Sequence, residues 1–268
     1  MKQIESRNNP IIKRAFKSIN SPNSENLIVV EGYKLLGEAL KSGAKPEMLF
    51  VTDEANVMSQ LFETRNDDFF QSKMEKITYK VSKGLMRELS TVTNPGEIIA
   101  FLTPSPTPDL EEIIKSSKML VVLDRLQDPG NIGTILRTSE AMGVSAIVLL
   151  KGCCNPNNHK VIRAAMGSSF RLPIVSNIEV ENLFKLLNKN SYMTVCADMK
   201  GNNLKSFEFA EKTALFMGQE GQGLSDYIVD NCHSKVSIPM FGQVESLNVA
   251  TSTAICLYEW ARNKDKGQ

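Results

Sequence analysis

Asp124-Arg125-Leu126-Gln127-Asp128-Pro129-Gly130-Asn131-Ile132-Gly133-Thr134-Ile135-Leu136-Arg137-Thr138 is the stretch whose reading decides the fold. It follows the apolar run Leu120-Val121-Val122-Leu123, and from Ile132 to Met142 its apolar residues recur at helical spacing. A buried strand that feeds a helix through a short polar turn is the repeating unit of a parallel sheet. Asp128-Pro129-Gly130 forms the turn. Asn131 is placed either to cap the helix or to present its amide to a pocket above the sheet, and Arg137 either makes a surface ion pair or faces that same pocket.

The same alternation continues outward. Strands are expected at 120–123, 146–150, 192–197, 214–217 and 235–238, and helices at 132–142, 159–166, 180–187, 225–231 and 247–262. In a sheet of this kind ligands bind beyond the carboxyl ends of the strands, so the loops that leave those ends carry the chemistry. Besides the first loop, two others stand out. Gly218-Gln219-Glu220-Gly221-Gln222-Gly223-Leu224-Ser225 places three glycines within six residues, so its main chain can approach a ligand closely. Pro239-Met240-Phe241-Gly242-Gln243-Val244-Glu245-Ser246-Leu247-Asn248 precedes a helix that Ser246 or Asn248 can cap. That last helix is apolar on more than one face, which predicts burial in the core or against another chain. Neither GxGxxG nor GxxxxGK[ST] is present, so NAD and ATP are poorly supported as ligands.

Upstream, Thr103-Pro104-Ser105-Pro106-Thr107-Pro108-Asp109 has three alternate prolines, an extended and stiff linker. It separates a first part, residues 1–103, from a joining segment, 104–117, and a second part, 118–268. The first part reads as a small α/β unit. Helices are expected at 10–19, 31–42 (ended by Gly43), 55–62 and 82–89, with strands at 27–30, 48–51, 77–81 and 98–102.

The 268 residues carry a net charge of +1, are 42% hydrophobic and 23% charged, and so suit two globular domains. Charge is unevenly placed. Residues 1–17 and 151–171 each carry net +4, and lysines and Arg87 dominate 73–87. These faces are either ordinary solvated surface or contacts for a polyanion. No apolar run reaches the length of a membrane span, and the first residues lack the core of a signal peptide, so a cytoplasmic chain is expected. Five cysteines without a CxxC pair suit reduced thiols, and two histidines, His159 and His233, offer few metal ligands; no metal is expected.

Taken together, the three loops resemble the three motifs of the SpoU (TrmH-type) RNA 2′-O-ribose methyltransferases. Asp128 to Arg137 is similar to the first motif, Gly218 to Leu224 to the second, and Ile238-Pro239 through Ser246-Leu247-Asn248-Val249 to the third. Arg163-Ala164-Ala165-Met166-Gly167 resembles a further family segment but has Ala165 where serine is usual. Ser6 to Lys13 and Val30-Glu31-Gly32 through Gly43 resemble the family's L30e-like substrate-binding appendage. The resemblance implies an α/β chain: a C-terminal parallel-sheet trefoil-knot (SPOUT) domain, preceded by a small L30e-like α/β domain, in a homodimer formed through the C-terminal domain.

It implies methyl transfer from S-adenosylmethionine to a ribose 2′-hydroxyl of structured RNA, ribosomal RNA first and tRNA second. Gly218, Ile238 and Leu247 would contact the cofactor. Arg137, Asn131, Glu220, Ser246 and Asn248 would form the catalytic set, and Arg7, Lys13, Arg14 and Arg163 would grip RNA. Because a guanidinium is a poor base near neutrality, Arg137 is expected to stabilise the developing alkoxide rather than to take its proton. A non-catalytic RNA-binding protein on this scaffold, and a methyltransferase acting on a base, are the alternatives.

Overall fold

The computed structural model describes residues 2–20, 27–52, 68–244 and 246–265. The chain divides into two compact units, Met1–Pro106 with Asn157–Arg163, and Thr107–Pro156 with Ala164–Gln268. The division falls inside the proline run. The helix expected at 55–62 lies outside the described residues.

The first unit is built on five strands: β1 (Lys2–Ile4), β2 (Ile28–Glu31), β3 (Lys45–Val51), β4 (Thr78–Val81) and β5 (Ile98–Thr103). Their order is β1-β4-β3-β5-β2. β4 pairs parallel with β1 and β3, whereas β5 runs antiparallel to β3 and β2. Ile12, Ala15, Phe50, Leu89 and Phe101 fill its core, where Phe50 and Phe101 meet edge to face at 5.7 Å. Local chemistry sets the helix ends. Ser82 Oγ accepts from Leu85 N at 3.1 Å and so starts the Lys83–Leu89 helix. Gly43, at φ +82°, ends the Tyr33–Lys41 helix one residue past its cap, with Ala44 N bonded to Ala39 O. Glu31 closes the unit: its carboxylate accepts from Ser90 Oγ, Thr91 N and Thr91 Oγ1.

The second unit holds a six-stranded sheet of β6 (Met119–Leu123), β7 (Ala146–Leu150), β8 (Ile174–Ile178), β9 (Met193–Asn203), β10 (Thr213–Met217) and β11 (Ser234–Ser237). The order is β11-β9-β10-β6-β7-β8, and every pairing is parallel. β6, β7 and β10 are buried along their whole length, as a sheet covered on both faces requires. Phe216 stacks on Phe184 at 5.1 Å inside this core. β9 is longer than expected. Its pairing with β11 jumps from Cys196 to Asn202 while β11 advances by one residue.

Several elements differ from the sequence reading. β1 has three residues, two of them exposed, too few to show a period. β8 is an edge strand with polar Ser176 and Asn177 in its middle. The helices Asp68–Ile77, Leu110–Ser116 and Ser168–Arg171 were not expected. Leu110–Ser116 ties the segment after the prolines to the second unit: Ile114 is in its core, and the Tyr192 hydroxyl donates to Ser117 O at 2.6 Å. The last helix, Val249–Asp265, is not buried all round. Val249, Ala250, Thr253, Cys256, Leu257 and Trp260 form one buried stripe, while Tyr258 is 58% exposed.

Candidate active site

Because β6, β10 and β11 are parallel members of one sheet, the loops that follow them leave from the same edge. In the first loop Asp128, not Asn131, caps the Pro129–Ala141 helix: its Oδ1 accepts from Asn131 N at 2.7 Å, with Pro129 in the first turn. The competition between two capping residues is thus settled by position, and the Asn131 side chain is released for other partners.

Those partners lie 89 and 117 residues away. Asn131 Nδ2 donates to Glu220 Oε1 at 2.9 Å, and Asn131 Oδ1 accepts from Asn248 Nδ2 at 2.9 Å. Asn248 Nδ2 also donates to Glu220 Oε1 at 2.5 Å, and Val249 N reaches the same oxygen at 3.3 Å. One carboxylate oxygen therefore gathers three N–H donors from two other loops, close to the positive end of the last helix. Asn248 caps that helix, its Oδ1 accepting from Ala250 N at 2.9 Å and Thr251 N at 3.3 Å. Of the two capping candidates, Ser246 is exposed and Asn248 does the capping.

The glycine-rich loop folds back on itself through Gln219 N to Gly223 O (3.2 Å) and Gly223 N to Gln219 O (2.9 Å). A Cβ on Gly218 would lie 2.4 Å from Gly223 C, so no other residue fits where the two legs meet. At Gly221 and Gly223 nothing lies within 4 Å of an added Cβ, which leaves open main chain. Ile238 and Leu247 are half-buried, neither sealed in the core nor fully in water. Apolar side chains with accessible faces and open main chain are the two kinds of surface that the adenosyl part of S-adenosylmethionine needs.

Arg137 is exposed and shares a solvent-facing stripe with Gly130, Thr134 and Ala141. It makes no hydrogen bond or ion pair with the described residues, in contrast to the expected alternative of a surface pair. Among the RNA-binding candidates, Arg7 is paired with Glu88 at 3.4 Å and lies 5.0 Å over Phe16, and Arg14 pairs with Glu47 at 3.6 Å. Lys13 and Arg163 are exposed. Ala165 is fully buried, an apolar position where a hydroxyl would need a partner. Burial raises the Cys153 thiol to about 11 and Cys256 to about 12, which suits structural rather than nucleophilic thiols. Two residues to which the sequence gives no role of their own adjoin the site, the buried Asp124 and its neighbour Arg125. An acidic residue closing an apolar strand was the available signal.

The three loops that leave one edge of this parallel α/β sheet are therefore held together by side-chain hydrogen bonds, at the edge where sheets of this kind bind their ligands. The chain belongs to the SpoU rRNA Methylase family, which matches residues 118–258, and an MRM3-like substrate binding domain matches residues 9–100. It is an S-adenosylmethionine-dependent RNA methyltransferase with a SPOUT fold. Bacillus subtilis RlmP, a 23S rRNA (guanosine(2553)-2′-O)-methyltransferase, is 30% identical over 260 residues, covering 96% of this chain and 98% of that protein. The AdoMet-bound rRNA methyltransferase of Sinorhizobium meliloti superposes with a TM-score of 0.83 at 26% identity, over 97% of each chain. A putative TrmH-family RNA methyltransferase of Porphyromonas gingivalis gives 0.78 at 26% identity, over 94% of this chain and 98% of that one. Among the described residues no helix is long and apolar enough to cross a membrane.

Proposed function

We propose that the chain methylates the 2′-hydroxyl of a ribose in structured ribosomal RNA, as a cytoplasmic homodimer formed through its C-terminal domain. The observation that carries this reading is the Glu220 oxygen, which draws Asn131 and Asn248 together and so links all three loops. The activity for which the Bacillus subtilis relative is named supports the ribose and the ribosomal substrate.

S-adenosylmethionine supplies an electrophilic methyl group, held in this reading by the main chain near Gly218 and by Ile238 and Leu247. The remaining work is positioning a poorly acidic hydroxyl, whose proton leaves to water as its oxygen takes the methyl group and the methyl–sulfur bond breaks. Arg137, with no partner among the described residues, is available to a phosphate and to the oxygen as it gains negative charge. Asn131, Glu220 and Asn248 hold the loops in register, and exposed Ser246 meets the RNA. Residues 1–103, together with Arg163 of the same compact unit, bind flanking RNA, with Lys13 and Arg163 the exposed cations and Arg7 and Arg14 acting from within ion pairs.

The test is transfer of tritiated methyl groups to ribosomal RNA followed by alkaline hydrolysis. A methylated 2′-oxygen cannot attack the adjacent phosphate, so label in alkali-resistant dinucleotides is the expected result. Label in mononucleotides would mean a base is the target, and no label would mean a binding protein.

A further inference from the structure

Asp124 is the last residue before the first loop, and its side chain is 6% exposed. It touches both legs of the glycine-rich loop. Its backbone N–H donates to Met217 O at 2.9 Å, on the strand that enters the loop. Its Oδ2 accepts from Ser225 N at 2.9 Å, where the chain leaves the loop. A buried carboxylate must be compensated, and Arg125 provides this: Nε lies 3.2 Å from the same oxygen.

Arg125 does more than neutralise. Its Nη2 extends to Gly223 O at 3.4 Å, the carbonyl that also accepts from Gln219 N to close the loop. To reach both groups Arg125 adopts φ +56°, a left-handed conformation that disfavours a side chain. The surroundings are shaped to it, since a Cβ on Gly152 would sit 3.2 Å from Arg125 Cγ. A strained residue kept in place by a buried carboxylate is a costly arrangement for an ordinary strand end, and the long-range side-chain hydrogen bonds of the pair, Asp124 with Ser225 N and Arg125 with Gly223 O, end on one loop.

We propose that Asp124 and Arg125 are positioning residues that latch the Gly218–Leu224 loop in its cofactor-binding shape before S-adenosylmethionine arrives. The proposal rests on the assignment of that loop to the cofactor. The latch acts on cofactor affinity by removing the ordering penalty at binding. It does not touch the methyl group or the RNA, so it governs the KM for cofactor and leaves kcat and the KM for RNA alone.

The experiment compares the full chain with its Asp124→Asn, Arg125→Lys and Gly218→Ala variants. Titration calorimetry with S-adenosylmethionine, steady-state methyl transfer to ribosomal RNA, amide exchange of residues 219–224 in cofactor-free protein, and thermal melting are the readouts. In Arg125→Lys the flexible ammonium replaces the fork that spans Asp124 and Gly223. Asp124→Asn puts an amide where a charged acceptor stood. Each change is expected to weaken cofactor binding about tenfold, the scale of one charge-assisted hydrogen bond. Exchange of 219–224 should quicken, while the melting temperature of Arg125→Lys stays close to that of the parent. Unchanged affinity and exchange in both latch variants, with Gly218→Ala losing cofactor, overturns the latch alone. Unchanged cofactor affinity in all three overturns the latch and the loop assignment together. A fall in kcat with unaltered cofactor KM also overturns it.

Discussion

The two units of the chain use the same kinds of element to opposite ends. In the second, six parallel strands deliver every post-strand loop to one edge, so residues 131, 220 and 248 can share a single hydrogen-bonded cluster. In the first, β2 and β3 run against β5, which sends loops to both ends of the sheet. Its cations also differ. Arg7 and Arg14 are already paired with Glu88 and Glu47, whereas Arg137 of the second unit has no described partner. A parallel sheet builds a site, and a mixed sheet of this size offers a surface.

The sharpest test of that division is core truncation. Phe216→Ala should cost the second unit about 3–5 kcal/mol. Trp260, the single tryptophan, is buried in that unit, so urea unfolding followed by its fluorescence should shift. Phe101→Ala, in the core of the first unit, should move the circular-dichroism transition and leave the Trp260 transition in place. If Phe101→Ala shifts both equally, the two units do not fold separately.

Next in size, Arg137→Ala should slow methyl transfer by about 10²–10³-fold, the loss typical of one preorganised donor. S-adenosylmethionine binding by calorimetry should be unaffected. Glu220→Ala leaves three N–H donors to water and should lower turnover by about tenfold, with about 1–2 kcal/mol lost from stability by urea titration. In the first unit, Lys13→Ala should weaken RNA binding only a few-fold and lower the salt slope of the affinity by about one. A larger loss at Lys13 than at Arg137 would reverse the roles given to the two units.

The smallest effect concerns acid stability. Glu140 takes a bidentate pair from Arg171, and that hydrogen bonding holds its carboxyl below the usual 4.5. The unfolded chain therefore binds the proton more readily. The pair's contribution is complete above pH 4.5 and fades as pH falls through the lower folded value. Both side chains are about one-third exposed, so about 0.2–1 kcal/mol is at stake, and Arg171→Leu should flatten the stability curve below pH 4.5.

Legibility followed the strength of local signals. The buried strands β6, β7 and β10 and the helices flanking them stand out because their apolar runs are uninterrupted. β1 and β8 do not, since one is three residues long and the other carries polar residues at an exposed edge. The Leu110–Ser116 helix had a readable signal in Asp109 followed three residues later by Glu112, and Asp109 does cap it through Glu112 N at 2.9 Å. Asn131 shows the opposite case. As a residue type it suits a cap, but Asp128 stands one turn earlier and takes that role.

From the order of its residues alone, the chain declares its parallel α/β class, the proline break and the three loops that matter, because strand period, turn chemistry and motif spacing are local properties. Tertiary structure decided that Glu220 receives donors from both other loops, that Arg137 stays without a described partner, and that Asp124 and Arg125 grasp the glycine-rich turn. Those contacts join residues from 28 to 117 positions apart, and only the strand order of the folded sheet sets which of them meet.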